Sequence, residues 1–147
     1  MTVRSGEDGE GGLAASVVAA MFDRDAASQA FGMVVEEAND DRVVVSMTVR
    51  PDMTQAVGTC HGGVIFTLAD SAFAFTCNRG NKTTVAAGCS IEFLGPGHEG
   101  DRLKATAIEV ATAGRSGIYD IRVTNQNNDC IAVFRGKSRQ IGGSIIE

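Results

Sequence analysis

Asp70 is the one charged residue in the fourteen-residue stretch 64–77. Ionising a carboxylate in such surroundings is costly unless something pairs with it or uses it. Desolvation raises its pKa, which suits a general base or a nucleophile. The alternatives are an aspartate on the one wet edge of a helix, or one hydrogen-bonded to a neighbouring loop. Nine residues earlier the same segment opens with His61-Gly62-Gly63. The first turn of a helix leaves backbone N–H groups without partners, and glycine lets a ligand oxygen come close to them, so this start fits a carbonyl-polarising site. A glycine-rich loop needed only for its backbone geometry is the other reading.

At ~100° and ~1.5 Å per residue, His61 and Asp70 lie about half a turn and ~13 Å apart on one helix. One chain therefore does not wrap both around a small reacting group. If both act in one reaction, the glycine end of one subunit meets Asp70 of another, and a two-fold dimer supplies two such composite sites.

Other candidates are weaker. Cys60 beside His61 does not make a nucleophile–base pair, since adjacent side chains rarely face each other, and it reads as a structural thiol. His98 has no ligand-spaced partner and reads as a surface residue. Arg135, Lys137 and Arg139 alternate, which puts three cations on one face of a strand. They suit phosphate binding, or the protection of a strand edge from aggregation.

The elements that must position these residues follow from periodicity. Apolar residues at helical spacing predict a short helix over 13–24. Val-rich runs at 33–37 and 42–49 flank Asn39-Asp40-Asp41 and predict a β-hairpin, with Pro51 ending its second strand. Residues 61–78 are apolar on every side of a helical wheel, which predicts a helix buried all round. Its apolar stretch of about 21 Å is too short for a hydrocarbon core of ~30 Å, so no membrane span is expected. Strands are predicted at 83–93, 103–113, 118–125 and 130–141, as an antiparallel meander of four. The class is α+β: one long helix covered by a strongly curved antiparallel sheet. Residues 13–147 form a single domain, and 1–12, with no apolar run of a signal or transit peptide, read as a mobile tail.

Composition narrows the partners. The chain has 147 residues, 44% of them apolar, enough for one core. A net charge of −5 and the lack of a basic helix-turn-helix argue against nucleic acid. Four cysteines without a CxxC pair point to reduced, cytoplasmic thiols rather than a disulfide framework or a zinc site.

With these residues in view, the sequence resembles the hotdog-fold acyl-CoA thioesterases, in particular the phenylacetic-acid-degradation branch. The likeness is carried by HGGVIFTLADSAFAFTCN at 61–78, CSIEFLGPG at 89–97 and FRGKSRQIGG at 134–143, and covers about 30–143. It implies a long helix wrapped by a sheet and a homodimer with active sites built from two chains, assembling further to a tetramer. It also implies hydrolysis of an acyl-CoA, such as phenylacetyl-CoA or hydroxyphenylacetyl-CoA, with no metal and no cofactor beyond the coenzyme A of the substrate. By the same resemblance Asp70 is the base or nucleophile, Gly62 offers the polarising N–H, and His61 belongs to the catalytic group. Gly63, Ser90, Arg135, Lys137 and Arg139 are expected to contact substrate. Relatives carry Asn six residues before the histidine, to orient water or the carbonyl; Gln55 stands there in this chain. Two other readings are an enoyl-CoA hydratase on the same fold, disfavoured because no histidine follows Asp70 by three to five residues, and a non-catalytic acyl-CoA sensor.

Overall fold

The first helix begins at Gly12, one residue inside the segment expected to be a tail, and the computed structural model describes residues 12–147. The rest of that expected tail lies outside the described residues. Helix α1 (Gly12–Arg24) packs its face of Val17, Val18 and Phe22 inward. A short helix α2 (Ala26–Ala30) follows, capped by Asp25. Strands β1 (Val34–Ala38) and β2 (Val43–Thr48) form the expected hairpin. Its turn is built by Asn39, whose Oδ1 accepts from the N–H groups of Asp41 and Arg42. A one-turn 3-10 helix at Pro51–Met53 and a loop lead to the long helix α3 (Gly62–Asn78). Strands β3 (Thr84–Phe93), β4 (Arg102–Ala113), β5 (Ser116–Thr124) and β6 (Cys130–Gln140) complete the chain.

All six strands join one antiparallel sheet in the order β1-β2-β4-β5-β6-β3. The α+β class and the hotdog arrangement expected from the sequence are observed. The four-strand meander is not: only β4, β5 and β6 run as consecutive neighbours, and β3 sits at the far edge beside β6. The reason lies in the partner choice of β4, whose other side is taken by β2. Residues 94–101 carry the chain back across the sheet end, a distance of three strand spacings of about 4.8 Å each. That crossing is pinned by backbone bonds from Leu94 N–H to Ile131 O, Cys60 N–H to Gly97 O and Gly100 N–H to Val49 O, each 2.8 Å.

One face of the sheet packs on α3. Val43, Ala107, Ile121, Phe134 and Ile91 form a row across five strands, and Phe134 meets the ring of Phe66 from the helix. Phe73, Phe75 and Leu68 of α3 are wholly buried, each contributing about 1.5–3 kcal/mol. Phe73 packs flat against the strand at Gly136: a Cβ added there would lie 2.6 to 2.7 Å from three atoms of its ring. Gly136→Ala is therefore expected to cost about 1–3 kcal/mol by overpacking. The melting temperature should fall by roughly 2–4 °C per kcal/mol, and an unchanged thermal melt would show that Phe73 shifts freely.

Helix α3 is not buried all round. Gly63, Phe66, Thr67, Asp70, Ala74 and Cys77 form a stripe along it that the chain leaves partly exposed. The adjoining strand β3 is exposed over most of its length, Cys89 and Phe93 included, although both belong to the helix-facing side.

Candidate active site

The helix start is built by a small set of backbone bonds. Thr54 and Cys60 form a bridge that closes the loop 55–59, and the His61 N–H donates to Met53 O at 2.8 Å. His61 then caps the helix: its Nδ1 accepts from the Gly63 N–H at 2.9 Å, and its carbonyl accepts from Val64 and Ile65. Among the described residues, only the Gly62 N–H of this first turn has no acceptor. His61 thus spends its ring nitrogen on Gly63, and the donor that remains for a ligand oxygen is Gly62. The tip of the Phe93 ring lies beside it, 3.2 Å from where a Cβ on Gly62 would sit.

Gln55 stands in the loop before the helix. Its Nε2 donates to Thr59 Oγ1 at 2.9 Å, and its backbone closes the same turn with Thr59 and Gly58. Its side-chain oxygen has no partner among the described residues.

Asp70 lies two helical turns further on, half-buried on the open stripe, with no hydrogen-bond partner among the described residues. Burial pushes its carboxyl above the ordinary aspartate range, and the like charge of Asp25 adds to the effect. The thiols of Cys77 and Cys89 share this neighbourhood. Burial drives Cys77 up to about 12 and raises Cys89, and the Asp70 charge pushes both in the same direction. Behind Asp70, Ser71 is buried and shares a 2.8 Å hydroxyl contact with Ser28, which in turn donates to Asp25 Oδ2 at 2.6 Å. This chain of bonds ties the α1–α2 junction to the helix next to the carboxylate. Nothing in the spacing of the sequence signals Asp25 or Phe93, because their place beside α3 depends on the packing of elements distant along the chain.

The remaining residues expected at the site lie elsewhere in the single chain. Ser90 pairs with Arg135, which pairs with Asp120, and this row faces away from the helix. The sheet therefore separates Ser90 from Asp70 of the same chain. Ser90 and Arg135 line a groove of about 700 Å³ on that outer face, together with Lys104 and Arg122. Arg135 is held by Asp120 through two bonds of 2.7 and 2.8 Å. Lys137 and Arg139 continue the exposed face of β6. The three cations do lie on one face, but β6 is flanked by β5 and β3, so they guard no strand edge. Cys60 is buried and His98 is exposed in its loop. Among the described residues no group of three or more His, Cys, Asp or Glu is placed to hold a metal ion.

An amide at a helix start and a half-buried carboxylate on the same helix, both without a partner among the described residues, suit acyl transfer to water. Residues 57–132 match the thioesterase superfamily. The chain belongs to that family. This thioesterase is 44% identical over 126 residues to the acyl-coenzyme A thioesterase PaaI of Escherichia coli, covering 86% of this chain and 90% of that protein. The structure of E. coli PaaI, from the phenylacetic acid degradation operon, superposes with a TM-score of 0.88 at 42% identity, over 90% of this chain and 96% of that one. The smu.793 protein of Streptococcus mutans, solved bound to acetyl CoA, matches with a TM-score of 0.70 at 27% identity, over 76% of this chain and 89% of its own.

Proposed function

We propose that this enzyme hydrolyses acyl-CoA thioesters, with arylacetyl groups such as phenylacetyl or hydroxyphenylacetyl as its substrates, in the cytoplasmic breakdown of aromatic acids. The observation that carries the reading is the pair of unspent groups on α3: the Gly62 N–H and the Asp70 carboxylate. The thioester oxygen accepts from Gly62, whose donor strengthens as charge develops on that oxygen in the transition state. Asp70, held above its ordinary pKa by burial, takes a proton from water as the water oxygen bonds to the carbonyl carbon and the C–S bond breaks to release the coenzyme A thiol. Alternatively it attacks that carbon itself, releasing coenzyme A and leaving an anhydride that water hydrolyses to the free acid. His61 holds the first turn in place, Gly63 leaves room for the acyl group, and the free oxygen of Gln55 orients the attacking water. Coenzyme A is part of the substrate, and the reading needs no metal or other cofactor.

The site is composite in this reading. Gly62 and Asp70 are eight residues apart, or ~12 Å along the helix, too far for one carbonyl. The open stripe of α3 and the exposed edge of β3 lie side by side, and the free outer edge of a ten-residue strand is a template for a second copy. A two-fold pairing there brings the Asp70 of one chain to the Gly62 of the other, and two such dimers assemble to a tetramer. Ser90 and the cations of β6 serve the coenzyme A end, where their outward face suits phosphates rather than the reacting carbon.

The test is thiol release from a panel of aryl- and alkyl-CoA thioesters. Saturable release is expected, and none with any acyl-CoA would leave only a binding protein. Neutralising Arg135, Lys137 and Arg139 together should raise KM with little change in kcat, because the phosphates are remote from the bond that breaks. An unmoved KM would remove these three from the nucleotide site.

A further inference from the structure

Phe93 is a large apolar side chain that the fold leaves 50% exposed at the end of β3, on the side of the sheet that faces α3. Its ring approaches Gly62 end-on: Cζ, Cε1 and Cε2 lie 3.2, 3.6 and 3.8 Å from the position of a Cβ on that glycine. Two consequences follow. A side chain at position 62 presses on the ring, which must give by a few tenths of an ångström to admit it, and the ring stands as an apolar wall beside the open N–H. Such a wall thins the water around the donor, which strengthens the bond it makes.

We infer that Phe93 is a specificity-determining residue that reads an aromatic ring placed one methylene from the thioester carbonyl. The inference rests on the thioester-hydrolase reading and refines it. A carbonyl oxygen bound to Gly62 sits about 2.9 Å from that nitrogen. In an arylacetyl group the first ring atom is two carbon–carbon bonds of about 1.5 Å from the carbonyl carbon. An acyl ring directed from that carbonyl toward the end of β3 is within reach of the exposed part of the Phe93 ring, and aromatic pairs attract at centroid separations of about 4.5–7 Å. A straight acyl chain gains only the contact area. A saturated ring of the same size gains area without the pairing.

The experiment compares phenylacetyl-CoA with cyclohexylacetyl-CoA, which differ only in the aromaticity of the ring, in the full-length enzyme. The wild type is expected to favour the aromatic substrate in kcat/KM. Phe93→Leu should lower that preference by about three- to tenfold, the worth of one aromatic pair, while Phe93→Tyr, which keeps the ring, should retain it. If Phe93→Leu gives no cooperative melt, Phe93→Met takes its place with the same expectation. A preference unmoved by loss of the ring, lost equally in Phe93→Tyr, or absent from the wild type overturns the role of Phe93 while leaving the hydrolase reading intact. A wild type that hydrolyses neither thioester overturns the hydrolase reading, and this inference with it.

Discussion

Asp70→Asn is expected to lower kcat by on the order of 10²-fold or more, the range for loss of a general base, while the protein keeps a cooperative melt. Among the described residues the carboxylate has no hydrogen-bond partner that the amide would lose, and it lies on the partly exposed stripe of α3 rather than in the packed core. The direction of its pKa shift sharpens the expectation. Burial, helped by the charge of Asp25, raises the carboxyl above its ordinary value, so the ionised form costs the folded state free energy at neutral pH. A carboxyl raised on folding favours the fold below its unfolded pKa and loses that contribution as pH rises through the folded value. The amide carries no such cost. At pH 7 the variant should therefore melt no lower than the wild type, and the difference should shrink as the solution is acidified and the wild-type carboxyl takes up its proton. Wild-type activity should fall over the same acidic range. Near-normal turnover by the asparagine variant would remove Asp70 from the mechanism, and a large fall in melting temperature would make its role structural.

Mixing two inactive chains should restore hydrolysis. One chain carries Asp70→Asn, and the other carries Gly62→Val, whose branched side chain crowds the Phe93 ring and is expected to block the approach of a carbonyl oxygen to the polarising amide. In a random mixture about half the dimers contain one chain of each kind, and each mixed dimer has one site free of both defects. Roughly a quarter of wild-type sites should return after the chains are refolded together. The effect is large because each variant alone starts from near zero. Mixed dimers confirmed by mass that recover no activity would mean that each chain builds its own site, and the ~12 Å separation along α3 would have to be closed within one subunit.

The helix start shows how far local chemistry reaches. His61-Gly62-Gly63 predicts an unpartnered amide, and the structure places it at Gly62, because the His61 ring occupies the neighbouring N–H of Gly63. The outward direction of Ser90 is also present in the alternation Cys89-Ser90-Ile91-Glu92-Phe93, whose apolar members face α3. By contrast, the place of β3 at the sheet edge is invisible to periodicity. Strand neighbours are chosen by pairing between distant segments, and here β2 claims the side of β4 that a meander would have given to β3.

The sequence by itself determines the α+β class, the hairpin at Asn39, the long helix and the two chemical groups on it, because caps, turns and apolar periods act within a few residues. It also determines that these two groups are too far apart to serve one carbonyl from one chain, since helical rise is a fixed quantity. Only the tertiary structure decides that one stripe of α3 is left open, that the charge of Asp25 comes close enough to bear on Asp70, and that Phe93 stands beside Gly62. Each of these depends on which distant surfaces meet when the core closes. Burial, charge proximity and ring contact are properties of that meeting, not of any run of residues.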